Sequence, residues 1–176
     1  LYNHDALTGL YNRVACNEMV IPLFAELEAQ NVGCTLVFLD VDDFKDINDT
    51  YGHQYGDELL KTVARVLDEQ KPEGSMVYRF GGDEFIIILK TRDKKELVDL
   101  AKQIYAGIEA SNGFVKEIQA RLNQNIEMDE SKKIGCSMGI SLTDSLNEQS
   151  VDEMLRQADE LLYTIKKGKK GTYAFI

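Results

Sequence analysis

The sequence predicts an α/β sandwich: a mixed sheet with helices on both faces. Three observations carry this. Short apolar runs (CTLVFLD at 34–40, MVYRF at 76–80, EFIIILK at 84–90, IGCSMGISL at 134–142) alternate with stretches of helical period. The segments VFL and FIIIL do not alternate between apolar and polar, as expected of central strands covered on both sides. Strands joined through helices run parallel, and one hairpin interrupts that pattern.

In chain order, Val14, Met19, Leu23, Phe24 and Leu27 form a helical stripe within 11–30, followed by a buried strand at 34–40 that ends in acid. The polar stretch 42–57, broken by Gly52 and Gly56, reads as a short helix and a loop. Leu59, Leu60, Val63, Ala64 and Leu67 then mark an amphipathic helix. Gly81-Gly82 between two apolar runs predicts a hairpin with a primed turn at positive φ. A helix over 94–111 precedes a polar interval, 112–133, expected to extend it before a loop. A strand at 134–142, a helix at 151–167 and the closing strand TYAFI complete the order.

With 176 residues, 44% hydrophobic and 28% charged, the chain has the size and composition of one domain with a substantial core. A net charge of -10 argues against nucleic acid as partner, though not against a small phosphate ligand held through a metal. Three scattered cysteines and two histidines give no zinc spacing and no disulfide framework, so a reduced, cytoplasmic setting is expected. No apolar run approaches the roughly 20 residues of a membrane span. Opening at Leu1 without an initiator Met, the chain is expected to be a domain of a longer protein that could be membrane-anchored through other segments.

Asp40 closes the first strand and Asp83-Glu84 open the strand after the hairpin, so neighbouring strands would bring these carboxylates together. Clustered carboxylates repel and are costly to desolvate unless a cation or proton compensates. Their hard oxygens suit Mg²⁺ completed by water and phosphates, and two such ions can clamp an in-line displacement at phosphorus. Gly81 and Gly82 would let a phosphate approach backbone N–H groups. A calcium-loop reading of DVDDFKDINDTY fails at Phe44, Lys45 and Tyr51, which occupy its fifth, sixth and twelfth positions.

GGDEF at 81–85 is the signature of the GGDEF domains, the diguanylate cyclases. DALTGLYNR (5–13), LDVDDFKDINDTYGHQYGDELL (39–60), SMGIS (137–141) and ADELLYTIKKGKK (158–170) each resemble a family motif in the right order. The resemblance implies condensation of two GTP molecules into cyclic di-GMP with release of two pyrophosphates. It also implies a palm-like nucleotidyl cyclase fold, with a mostly antiparallel sheet of about five strands.

By motif position, Asp40, Asp83, Glu84 and the carbonyl of Val41 resemble the metal ligands, for two Mg²⁺ (Mn²⁺ possible) per half-site. Asp83 and Glu84 are candidates for assisting deprotonation of the ribose 3′-hydroxyl. Lys45 resembles a phosphate contact that offsets transition-state charge. Asn48 and Asp57 resemble the pair reading the guanine edge, with a buried Asp57 rejecting adenine, and His53 lies in the same loop. Lys166 and Lys170 resemble the β/γ-phosphate contacts, although Gly168 stands one residue earlier than the family spacing. Asp5 and Arg13 are expected to pin the entry helix, and Arg79 to form a salt bridge or support the loops.

Many relatives carry an RxxD product-inhibition motif; here PEGS (72–75) stands in its place, and no feedback inhibition through that site is expected. The implied partners are GTP, a second copy of the domain, and an upstream sensor or dimerisation segment. The binding-class alternative is a catalytically silent receptor for GTP or a cyclic dinucleotide.

Overall fold

A computed structural model describes residues 2–111, 120, 135–143 and 151–176. Helix α1 (Arg13–Ala29) starts at Asn12, whose side-chain oxygen accepts the Ala15 N–H at 2.8 Å, and it tolerates Pro22 in its interior. Strand β1 (Thr35–Val41) leads into α2 (Phe44–Tyr51) and α3 (His53–Gln70). The hairpin strands are β2 (Met76–Arg79) and β3 (Glu84–Leu89). Then come α4 (Lys94–Ser111), β4 (Cys136–Leu142), α5 (Val151–Lys167) and β5 (Tyr173–Phe175). Of the interval 112–133, all but residue 120 lies outside the described residues.

The sheet has five strands in the order β2-β3-β1-β4-β5. Every neighbouring pair is antiparallel except β4–β5. The expected parallel crossovers are present but split. β1 and β2, joined through α2 and α3, point the same way with β3 slotted between them. β3 and β4, joined across α4, do likewise with β1 between. Strand β1 is thereby central, and helices cover both of its faces, which explains why its apolar run does not alternate.

Successive residues of β1 and β3 serve opposite faces. Val37, Leu39, Ile87 and Leu89 pack with Leu59, Val63 and Leu67 of α3 and Leu97 and Ile104 of α4. Leu36, Phe38, Ile86 and Ile88 pack with Val20, Phe24 and Leu27 of α1 and Met154, Ala158 and Leu162 of α5. Burying each Val, Leu, Ile, Phe or Met side chain among them stabilises the fold by about 1.5–3 kcal/mol. Helix α5 crosses β4 at closest approach over Gly139, where a Cβ would run into the Ala158 carbonyl and lie 3.2 Å from Leu161 Cβ.

The expected helix-plus-loop at 42–57 is corrected in one respect. α3 begins already at His53, leaving Gly52 (φ 94°) as the only residue between two helices. Gly56 does not break the helix; it is buried inside α3, because the space a Cβ would fill holds the Asn48 side chain.

Cys16, Cys34 and Cys136 are free and buried. Burial pushes the Cys16 thiol up to about 11 and Cys34 up to about 12, and raises Cys136 as well. Since the thiolate is the nucleophile, iodoacetamide at pH 8 should label none of the three in the native protein and all three in urea. Rapid native labelling, read by intact mass, would contradict this packing. No helix of the described residues is long and apolar enough to cross a membrane.

Candidate active site

Three strand ends meet beside Asp40. In the register of the sheet, Asp40 stands opposite Glu84 on β3 and opposite Ser137 on β4. The hairpin loop is stitched to the same edge, because the Val41 N–H donates to the Asp83 carbonyl at 3.1 Å.

The loop itself differs from the expected primed turn. Neither Gly81 nor Gly82 has positive φ. The N–H groups of Phe80 and Gly81 both reach the Glu84 carbonyl, at 2.8 and 3.3 Å, which closes a wider loop over 81–83. Arg79 holds it from below: Nε and Nη2 donate to the Gly82 carbonyl at 3.2 and 2.8 Å, while Nη1 pairs with Asp5 at 3.0 Å. Burial would raise the Asp5 carboxyl, but hydrogen bonds from Thr8 and the Arg79 guanidinium outweigh it and hold the group below its usual range. Arg13 lies over the Phe80 ring at 4.3 Å. The opening motif thus braces the signature loop rather than entering it. A Cβ at Gly81 would meet the far end of the Glu84 side chain, which can rotate aside; around Gly82 there is open space.

Asp40 is the electrostatic centre. Its Oδ2 accepts from Lys166 Nζ at 2.9 Å, with both side chains largely covered. Its Oδ1 is buried and has no hydrogen-bond partner. The Asp83 carboxyl stands within hydrogen-bonding reach, a contact that requires a proton or cation between the two acids. Burial first, and Asp83 second, push Asp40 up to about 7 despite the lysine. Glu84 is also raised, by burial and then by the neighbouring charges of Asp83 and Asp159.

These donors fit a hard divalent cation. A buried, undonated carboxylate oxygen and a facing carboxyl lie beside the Val41 residue at the strand end, with coordination left for water and phosphate oxygens. Among the described residues no three His, Cys, Asp or Glu side chains already form a metal cluster, and Glu84 is folded back over Gly81.

The other sequence candidates lie on α2, α3 and the end of α5. Asn48 Nδ2 donates to His53 Nδ1 at 2.8 Å, tying the end of α2 to the start of α3 across Gly52. Lys45 and Asp57 are exposed, so the buried environment expected for Asp57 is absent in this state. At the N-terminus of α2, Asp43 adopts a left-handed backbone (φ 54°) and gives no side-chain cap. Lys170 Nζ pairs with Asp43 at 2.6 Å.

A buried relay escaped the sequence reading. Ser137 Oγ donates to Asp42 Oδ1 at 2.7 Å and accepts from the Gly171 N–H at 3.1 Å, fastening the loop after α5 to the end of β1. Asp42 is only 7% exposed. The signal was present in DVD, a second acid two residues after Asp40, but its partner is 95 residues away.

The comparisons with known proteins bear on the family and the fold. Over 173 residues the chain is 31% identical to "Cyclic di-GMP phosphodiesterase PdeR" of Escherichia coli K12, covering 98% of this chain and 24% of that protein. It is 26% identical to "Uncharacterized membrane protein SAUSA300_0730" of Staphylococcus aureus USA300, covering 98% of this chain and 45% of that one. It therefore spans less than half the length of either relative. Among solved structures, diguanylate cyclase SiaD of Pseudomonas aeruginosa, in complex with its activator SiaC, superposes with a TM-score of 0.82 at 24% identity, over 98% of this chain and 61% of SiaD. At that identity the match speaks for fold alone. The GGDEF domain of DgcB from Caulobacter crescentus, in complex with c-di-GMP, gives 0.74 at 26% identity, over 98% and 95% of the two chains. The family model "Diguanylate cyclase, GGDEF domain" matches residues 2–172, nearly the whole span that carries the braced loop and its acids. The chain belongs to the GGDEF domain family.

Proposed function

We propose that this domain is a catalytically competent diguanylate cyclase, joining two GTP molecules into cyclic di-GMP with loss of two pyrophosphates. The observation that carries the reading is the buried, undonated Oδ1 of Asp40 beside the Asp83 carboxyl. A site kept only for folding would not leave an acid in that state. Bound there by Asp40, Asp83 and the Val41 carbonyl, Mg²⁺ or Mn²⁺ would supply Lewis-acid stabilisation of phosphate charge. Glu84, whose carboxyl burial raises above its usual range, accepts the ribose 3′-hydroxyl proton, with Asp83 beside it. Lys45, Lys166, Lys170 and the N-terminus of α2 receive the triphosphate, and the bare backbone of Gly81 and Gly82 admits it. Asn48, His53 and Asp57 form the base subsite, with Asp57 accepting from the guanine N1–H and N2–H donors.

Each domain holds one GTP, so turnover requires a second copy facing the first. Dimerisation would be imposed by upstream segments of a longer chain, which could also anchor it to a membrane. A second reading, a silent nucleotide receptor within a larger regulator, draws on the PdeR likeness, because that relative is named as a phosphodiesterase.

The test is a fusion of the domain to a dimerising coiled coil, given GTP and Mg²⁺, with the product identified by mass. Cyclic di-GMP is expected; GTP bound but unturned would favour the receptor. In the same assay Asp57→Ser should erode discrimination against ATP by roughly tenfold or more, and unchanged selectivity would remove Asp57 from the base subsite.

A further inference from the structure

We infer that Lys166 is an exchangeable resident cation, occupying the Asp40 carboxylate until metal and triphosphate arrive together and then transferring to the phosphates. The inference rests on the metal reading of Asp40 given above. Lys166 extends from the last turn of α5, and its Nζ lies 2.9 Å from Asp40 Oδ2. The ammonium thus sits on the carboxylate a divalent ion needs. Lys170 repeats the arrangement one step outward, on Asp43 at the N-terminus of α2. Both proposed phosphate ligands are therefore held by acids at the end of β1 and the start of α2.

The charge distribution makes the exchange conditional. A bare divalent ion approaching Asp40 meets the Lys166 ammonium at short range, and evicting it leaves a partly covered cation without a partner. A metal bound to a triphosphate brings its own anion to receive the displaced lysine. The single ammonium does not satisfy the acids, since Oδ1 of Asp40 still has no donor. The lysine is a placeholder weak enough to leave. The consequence is coupling: the site discriminates against metal alone and admits metal with nucleotide.

The experiment is a Mn²⁺ titration of the nucleotide-free domain by electron paramagnetic resonance, at fixed pH and salt. It compares wild type, Lys166→Met, Lys166→Arg and Asp40→Asn/Lys166→Met, with GTP affinity in Mg²⁺ measured by calorimetry on the same samples. Lys166→Met should bind Mn²⁺ roughly tenfold more tightly than wild type while binding GTP more weakly. Lys166→Arg, which keeps a cation on Asp40, should stay near the wild-type Mn²⁺ affinity. The double variant should lose the gain, showing that it acts through Asp40. Equal or weaker Mn²⁺ binding by Lys166→Met, with the Arg variant folded, would overturn the exchange. The two readings fail separately. Turnover by the wild-type fusion with no Mn²⁺ gain in Lys166→Met sinks the exchange alone. A Mn²⁺ gain in a domain that never makes product sinks the cyclase reading and keeps the exchange.

Discussion

Replacing Glu84 with Gln in the dimerised domain should lower turnover by roughly a hundred- to ten-thousand-fold, the range expected on losing a general base, without lowering the melting temperature. The two halves of that expectation have different causes. Glu84 heads β3, and its carboxyl is raised by burial and by Asp83 and Asp159. An amide of the same shape keeps the fit over Gly81 but cannot take a proton. It also removes one negative charge from a crowded set, so the fold should tolerate it or gain slightly. Product formation by mass, with thermal unfolding on the same sample, checks both halves. Undiminished turnover would transfer the proton-accepting role to Asp83, whereas a fall in melting temperature matching the lost activity would mark Glu84 as structural.

Gly139→Ala should produce the largest loss of stability among conservative changes, about 3 kcal/mol, or a fall of roughly 6–12 °C in melting temperature for a chain of this size. The added methyl group meets the Ala158 carbonyl, which is backbone in mid-helix and cannot rotate aside, with Leu161 Cβ behind it. Helix α5 must therefore lift from β4. Because α5 carries Lys166 in its last turn, GTP affinity should fall along with stability. Thermal unfolding and calorimetry of the purified variant would show this. An unshifted melting temperature would mean that the helix moves on the sheet more freely than the contact implies.

How much of this was legible depended on the range of the interaction. The helix at 151–167 and the apolar runs of β1 and β3 could be read because periodicity and burial are local properties of the sequence. The single-residue joint at Gly52 was blurred because Gly56, a breaker by composition, is recruited to make room for Asn48. Gly81-Gly82 suggested a primed turn, yet the loop is shaped from outside by Arg79, which reaches back 74 residues to Asp5. Asp40 and Glu84 were expected to converge and do so in register across β1 and β3. Pairing of Lys166 with Asp40, and the Asp42–Ser137–Gly171 relay, depend on β4 and the end of α5 arriving beside β1. No pattern within either segment announces that meeting.

Gly82 separates two histories that a glycine can record. Its backbone lies outside the positive-φ region, and a Cβ there would meet nothing within 4 Å. The fold places no demand on it, in contrast to Gly139, which every folded descendant of this chain must keep small. Selection at position 82 would come from the ligand alone. In a lineage that gave up handling the nucleotide, mutations should accumulate at the second letter of the signature first, long before the packing glycine drifts. The relative decay of these two positions would date the loss of chemistry within a domain whose architecture had survived it.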